Sequence, residues 1–278
     1  MMYDDLMRKI QEKLEGVPAY LEVKNGEVYD EKLIDHLTNT SEKMASLFSD
    51  RLTVIEHKTR ESYRWNSGEL IEFAKAVGLL HDIGKASKHY HKEFIRKKSG
   101  SLTFYNHELI SAFLILKSIE DEEDSSIRKR GKLMARIVAR HHSAMENRHP
   151  LRANCNREVV KSAMNLMNES FINQVLKKCE EYELCSALSK KGFPKLQENE
   201  DLCRDRMGDL KIVTDANALE ERADDFILVN SLAGMLIVAD NLVAIANRRS
   251  GSTTDLSTPL YIRHWQMELG DITNSREI

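Results

Sequence analysis

Eleven residues at positions 77–87, VGLLHDIGKAS, constrain this chain more than any other stretch. An apolar helical run over residues 73–80 ends on adjacent His81 and Asp82, and Gly84 and Lys85 follow at once. A helix that buries one face and delivers an imidazole and a carboxylate at its end is suited to hold a cation. With ten His and seventeen Asp in 278 residues, a lone His-Asp pair is ordinary, so its meaning depends on further ligand-type residues. Gly84-Lys85 is not a phosphate loop. Five residues separate Gly78 from Gly84 where that motif has four, neither Ser nor Thr follows the lysine, and the lead-in is helical.

Further ligand-type residues occur along the chain. Residues 3–15 form a charged helix, and alternation over residues 19–30 around Asn25-Gly26 predicts a small β-hairpin. Over residues 31–48 apolar side chains recur at helical spacing and place His36 on a long helix. His107 opens another helix, with Asn106 in the N-cap position. The basic helix over residues 127–140 runs into His141-His142. Neighbours on a helix point about 100° apart, so such a pair can serve one ion only at a helix end or a cleft corner. Residues 217–247 give a long apolar helical pattern with Asp240 inside its most apolar part. A lone buried carboxylate costs several kcal/mol unless it is paired, protonated or metal-bound. A nearby cation explains it, and a salt bridge to Arg248 or Arg249 is the plainer alternative.

Four Pro and twelve Gly against 41% hydrophobic residues favour an all-α fold. The formal charge of −3 provides no global field for nucleic acid. Local basic charge is concentrated in residues 88–98, KHYHKEFIRKK, which is either a solvated helix face or a phosphate-contacting rim using Lys88, Lys97 and Lys98 with Tyr90 interleaved. The cysteines, Cys155, Cys179, Cys185 and Cys203, lack a Cys-x-x-Cys spacing and read as reduced thiols in a cytosol. No apolar leader is expected at the N-terminus, and residues 231–246 are too short and polar to span a bilayer. The chain therefore reads as one cytoplasmic domain over residues 1–278, with residues 151–213 as a variable lobe or lid.

Taken in order, His36, His81-Asp82, His107, His141-His142 and Asp240 resemble the HD superfamily of metal-dependent phosphohydrolases. The additional His and the His-His pair make the set most similar to the HD nuclease of type I CRISPR interference, in the form separate from its helicase. The resemblance covers residues 31–247. It implies an HD-domain helical bundle and one metal held by His36, His81, Asp82 and Asp240. It implies a second metal held by Asp82, His107, His141 and His142, with Asp82 bridging. Lys85 is implied to contact the scissile phosphate or to stabilise developing charge, and Ser111 matches a small polar position after the third His. The implied partners are single-stranded DNA, a separate CRISPR helicase and a crRNA-guided surveillance complex.

The chemistry agrees with that resemblance. Two cations about 3.5–4 Å apart can activate water and stabilise both oxygens of a phosphodiester displacement. An imidazole-rich shell suits Mn, Ni, Co, Fe or Zn better than Mg. Proton competition for the imidazoles should end activity below about pH 6. Two other readings stay open: a phosphohydrolase of the same superfamily acting on nucleotides or cyclic dinucleotides, and a helical adaptor that keeps a metal site for stability.

Overall fold

Asn25 and Gly26 both adopt positive φ, 54° and 81°, as a two-residue type I′ hairpin turn requires. They join β1 (Pro18–Lys24) to β2 (Glu27–Lys32), antiparallel, with Val23 opposite Val28. The computed structural model describes residues 2–97, 99–142, 155–191, 200–210 and 219–248. A short β3 (Gly100–Ser101) pairs with the free edge of β1, giving the order β2-β1-β3. The sequence shows that third strand only as a break in the basic run, because two residues carry no alternation. The rest is helical, and α1 (Met2–Glu15) packs Ile10 and Leu14 into the core beside the hairpin.

From β2 the chain runs directly into α2 (Leu33–Tyr63). The helix is longer than the 31–48 pattern predicts, and the reason is chemical. Its inward stripe continues through Leu52, Glu56, Thr59 and Tyr63, where polar residues occupy positions that apolar periodicity does not register. One of them does identifiable work: Glu56 is buried, and its carboxylate accepts from the Gly68 and Leu70 N–H groups at 3.2 and 3.0 Å. It satisfies otherwise orphaned donors at the start of α3 (Glu69–Leu80), whose own N-cap, Gly68, has no side chain to offer. Near the end of α3, that helix and α2 approach so closely that a Cβ on Gly78 would lie 2.6 Å from the Ser41 Cα. This approach sets His36 and His81 in register.

A 3-10 turn, Ile83–Ala86, leads to α4 (His89–Lys97). Next come α5 (His107–Ser118) and α6 (Ser125–Val138), the latter capped by Asp124. Asn106 stands before α5 in a left-handed conformation without capping it; its Oδ1 accepts from the Asn156 N–H instead. Within the part expected as a lobe or lid lie α7 (Arg157–Asn165), α8 (Glu169–Lys178), α9 (Glu183–Lys191) and α10 (Leu202–Asp205). Val160, Ile172, Val175 and Leu188 from these helices enter the same hydrophobic core as α3 and α5. The expectation of four reduced cysteines fails here. Cys155 pairs with Cys203 and Cys179 with Cys185, at Cα separations of 5.9 and 5.7 Å. The first pair joins segments 48 residues apart, a proximity that local spacing cannot reveal.

The last described helix, α11 (Leu219–Arg248), buries Leu228, Leu232, Leu236 and Ala239. Its segment Ala223–Asn247 is long and apolar enough to cross a membrane, with a mean hydropathy of 1.9, which the shorter sequence window did not reach. Here the helix packs along α2 and α6 and carries Asp240 inward. We expect Gly78→Ala to lower stability by about 1–3 kcal/mol by overpacking the α2–α3 contact. A urea midpoint unchanged from that of the parent protein would contradict this view of the helix crossing.

Candidate metal centre

Three of the candidate histidines sit at helix edges and are oriented by the backbone three residues earlier. His81 follows the last residue of α3, and its Nδ1 lies 2.7 Å from the Gly78 carbonyl. His141 follows α6, with Nδ1 2.6 Å from the Val138 carbonyl. His107 begins α5, with Nδ1 2.6 Å from the Phe104 carbonyl. At His81 and His141 the accepting carbonyl is among the last of a helix, which have no intrahelical donor, and at His107 it belongs to the turn before α5; in each case the bond turns Nε2 the other way. The tautomer follows from these bonds: Nδ1 carries the proton and Nε2 presents a lone pair. His36 lies inside α2, and its Nδ1 instead meets the buried Glu31 carboxylate at 2.9 Å.

All these Nε2 atoms converge on Asp82, which is fully buried at the start of the 3-10 turn. Its Oδ2 faces His36 Nε2 at 3.5 Å and His81 Nε2 at 3.3 Å. Its Oδ1 faces His107 Nε2 at 3.0 Å and His141 Nε2 at 3.2 Å. Asp240, reaching in from α11, closes the first group, with Oδ1 3.0 Å from His36 Nε2 and 3.8 Å from His81 Nε2. His142 closes the second, its Nε2 2.8 Å from that of His107. Two four-residue sets result, sharing Asp82, and within each set the ligand atoms lie within 4.8 Å of one another.

The residues fit divalent ions on two independent grounds. The Nε2 atoms of His36, His81 and His141 and both Asp82 oxygens are buried without a hydrogen bond; lone pairs facing lone pairs repel unless a cation or protons lie between them. The spacing also agrees. Donors about 2.0–2.2 Å from an ion stand about 3.0 Å apart at right angles and about 3.4 Å apart at the tetrahedral angle, which brackets most of the separations above. His141-His142 can serve one ion because α6 ends at Val138 before the pair begins.

Electrostatics separates the two sets. Burial opposes the imidazolium at His36 and His81, but hydrogen bonds and charge from Asp82 and Asp240, with Glu31 added at His36, outweigh it. His36 is raised well above its ordinary value, and His81 is raised to about 9. Burial likewise opposes charge on Asp82 and Asp240, yet the surrounding cations, His81 and Lys85 foremost for Asp82 and His36 for Asp240, hold both well below the carboxylate range. For His141 and His142 burial prevails and lowers both. His141 and His142 are therefore neutral and receptive at pH 7, whereas His36 and His81 must release protons to a metal.

The other sequence candidates divide. The Lys85 ammonium is largely buried, 2.5 Å from Asp82 Oδ2 and 5.5 Å from the Phe104 ring centre. Ser111 does not face a substrate. It is fully buried, accepts from the Gly84 N–H and donates to the His107 carbonyl. It locks the His-Asp turn to α5, where any Cβ on Gly84 would run into that same carbonyl. Lys88 is exposed and lines a cavity of about 390 Å³ against α1. Lys97 ends α4, and Lys98 lies outside the described residues. Tyr90 is not interleaved with a basic surface: it is a core residue, its hydroxyl donating to the Tyr105 carbonyl, and Tyr105 is the exposed aromatic instead. Of the alternative partners for Asp240, Arg248 is the last residue of α11 and Arg249 lies outside the described residues. Glu31 and Asn247, whose Nδ2 donates to Glu31 at 2.6 Å, carried no signal in the sequence, where a Glu beside a hairpin reads as surface.

A family model described as Cas3, HD domain matches residues 23–243, well over half the chain. Among solved structures, a CRISPR-associated Cas3 HD domain protein from Methanocaldococcus jannaschii is similar at 17% identity. That match covers 76% of this chain and 95% of the other, with a TM-score of 0.42. No curated protein matches.

Metal loading of stripped protein at pH 7.5 should release about one to two protons, from His36 and His81. Titration calorimetry in two buffers of different ionisation enthalpy should thus give different heats, and affinity should weaken from pH 9 to pH 6. Without metal the sign reverses for stability. The raised His36 and His81 stabilise the fold fully below about pH 6.5, and that contribution is lost as pH rises through about 9. Heats independent of buffer would overturn this assignment of protonation.

Proposed function

This chain belongs to the Cas3 HD-domain family, and on that premise we propose that it is a metal-dependent nuclease that hydrolyses phosphodiester bonds of single-stranded DNA. The observation that carries the reading is Asp82, with one oxygen turned to each set of imidazoles. Divalent ions bound there would supply Lewis acidity and a nucleophile at neutral pH. Asp82 would bridge them, His36, His81 and Asp240 would complete one position, and His107, His141 and His142 the other. The imidazole content favours Mn, Ni, Co or Fe over Mg. Lys85 neutralises Asp82 from the side, and its ammonium is placed to meet the added negative charge of a scissile phosphate.

The partner proposals follow from that reaction. Processive degradation of DNA needs a motor to feed the strand, and a separate helicase is proposed to supply it, recruited together with a crRNA-guided surveillance complex. With the cysteines paired, a cytoplasmic location rests on where that DNA is found. Exposed Lys88 just before α4, with Lys97 at its far end and Lys98 next in the sequence, is proposed as the rim that follows the DNA backbone. The net charge of −3 favours a second reading, hydrolysis of nucleotides or cyclic dinucleotides.

One panel separates the two: labelled single-stranded DNA, duplex DNA, nucleotides and cyclic dinucleotides, each with Mn, Ni or Mg. We expect cleavage of single-stranded DNA with Mn or Ni and loss to background in Asp82→Ala. Hydrolysis of nucleotides with DNA left intact would replace the nuclease reading by the second one. Lys97→Glu combined with Lys98→Glu should weaken DNA binding and reduce the log–log salt slope by about one to two; an unaltered slope removes the rim.

A further inference from the structure

Three of the four inward-facing histidines with a protonated Nδ1 use a backbone carbonyl three residues earlier, but His36 cannot. It occupies the first turn of α2, where each carbonyl accepts the next turn's N–H, so its Nδ1–H needs a side-chain acceptor. Glu31 supplies it. The carboxylate is 3% exposed, 2.9 Å from His36 Nδ1, and held by the Asn247 amide at 2.6 Å. A buried anion behind an imidazole fixes the ring and makes its other nitrogen a better donor.

The consequence is an imbalance between the two ion positions. The position between His36, His81, Asp82 and Asp240 has two ligand carboxylates and a third behind His36. The position between Asp82, His107, His141 and His142 shares one carboxylate among three imidazoles. Glu108 lies 3.5 Å from His107 Nδ1, but that nitrogen already meets the Phe104 carbonyl at 2.6 Å. We propose that the two positions differ in affinity and that Glu31, acting through His36, is the positioning residue that makes the first the tighter. This rests on the two-ion reading above and adds the order in which the ions are gained and lost.

The test is binding, not turnover. Metal-stripped full-length protein is titrated with Mn²⁺ alone, free Mn²⁺ being followed by electron paramagnetic resonance. The parent protein should show two classes of site. Glu31→Ala should weaken the tighter class by about 10–100-fold and leave the looser class where it was. Glu31→Gln, which still accepts the Nδ1–H bond but lacks the charge, should fall between them. A general loss of structure would not single out one class. Should Glu31→Ala fail to fold, as judged by circular dichroism, the near-isosteric Glu31→Gln decides alone.

A single class of equal sites in the parent protein, or a tight class unmoved by either variant, overturns the proposal. Two classes that respond to Glu31 in a protein that cuts no DNA would support it while removing the nuclease reading.

Discussion

The whole arrangement depends on one carboxylate. Asp82 is fully buried, and an ionised carboxylate taken out of water costs several kcal/mol unless charge and hydrogen bonds compensate it. The surrounding side chains, with the charges of His81 and Lys85 foremost, provide that compensation. They come from α2, the end of α3, the 3-10 turn, the start of α5 and the segment after α6, so the core must bring these elements together before Asp82 can be buried at all. The fold can be understood as the set of packings that makes this burial tolerable: Gly78 against Ser41, Gly84 against the start of α5, and Ser111 bridging the last two.

Helix ends are the economical places for such ligands. At His81, His107 and His141 the bond from Nδ1 to the carbonyl three residues earlier turns Nε2 toward Asp82. Loops would position these rings less well, because nothing in a loop fixes both the carbonyl and the ring axis at once. The two ligands within helices, His36 and Asp240, lack this device. They are held instead by side chains, His36 by Glu31 and Asp240 by His36 and His81. Through Asn247 and Glu31, α11 is tied to the foot of β2 close to where Asp240 enters.

How much of this could be read from the sequence depends on residue type. His81-Asp82, His107, His141-His142 and Asp240 were legible because His is uncommon and an Asp inside an apolar helix contradicts its surroundings. The Asn25-Gly26 hairpin was legible because its backbone demands those residues. Glu31 was not, since its burial is produced by α11, more than 200 residues later. The length of α2 was hidden by Glu56 and Thr59, polar residues with inward tasks. Tyr90 misled in the opposite direction: set among Lys and His it looked like surface, while its ring completes the core beside Phe104. The cysteine pairs were invisible because pairing is a property of space rather than of spacing.

A division of labour follows from where the charges fall. The side bounded by His36, His81 and Asp240 concentrates anions and holds protons at neutral pH. On the other side, burial keeps His141 and His142 uncharged. A cation bound on the anionic side would have much of its charge neutralised by the two ligand carboxylates. A cation bound among His107, His141 and His142 would keep more of its charge, because Asp82 would be its single carboxylate ligand and would be shared. His142, at the more exposed end of that second set, is where an anionic substrate would first meet this less neutralised charge.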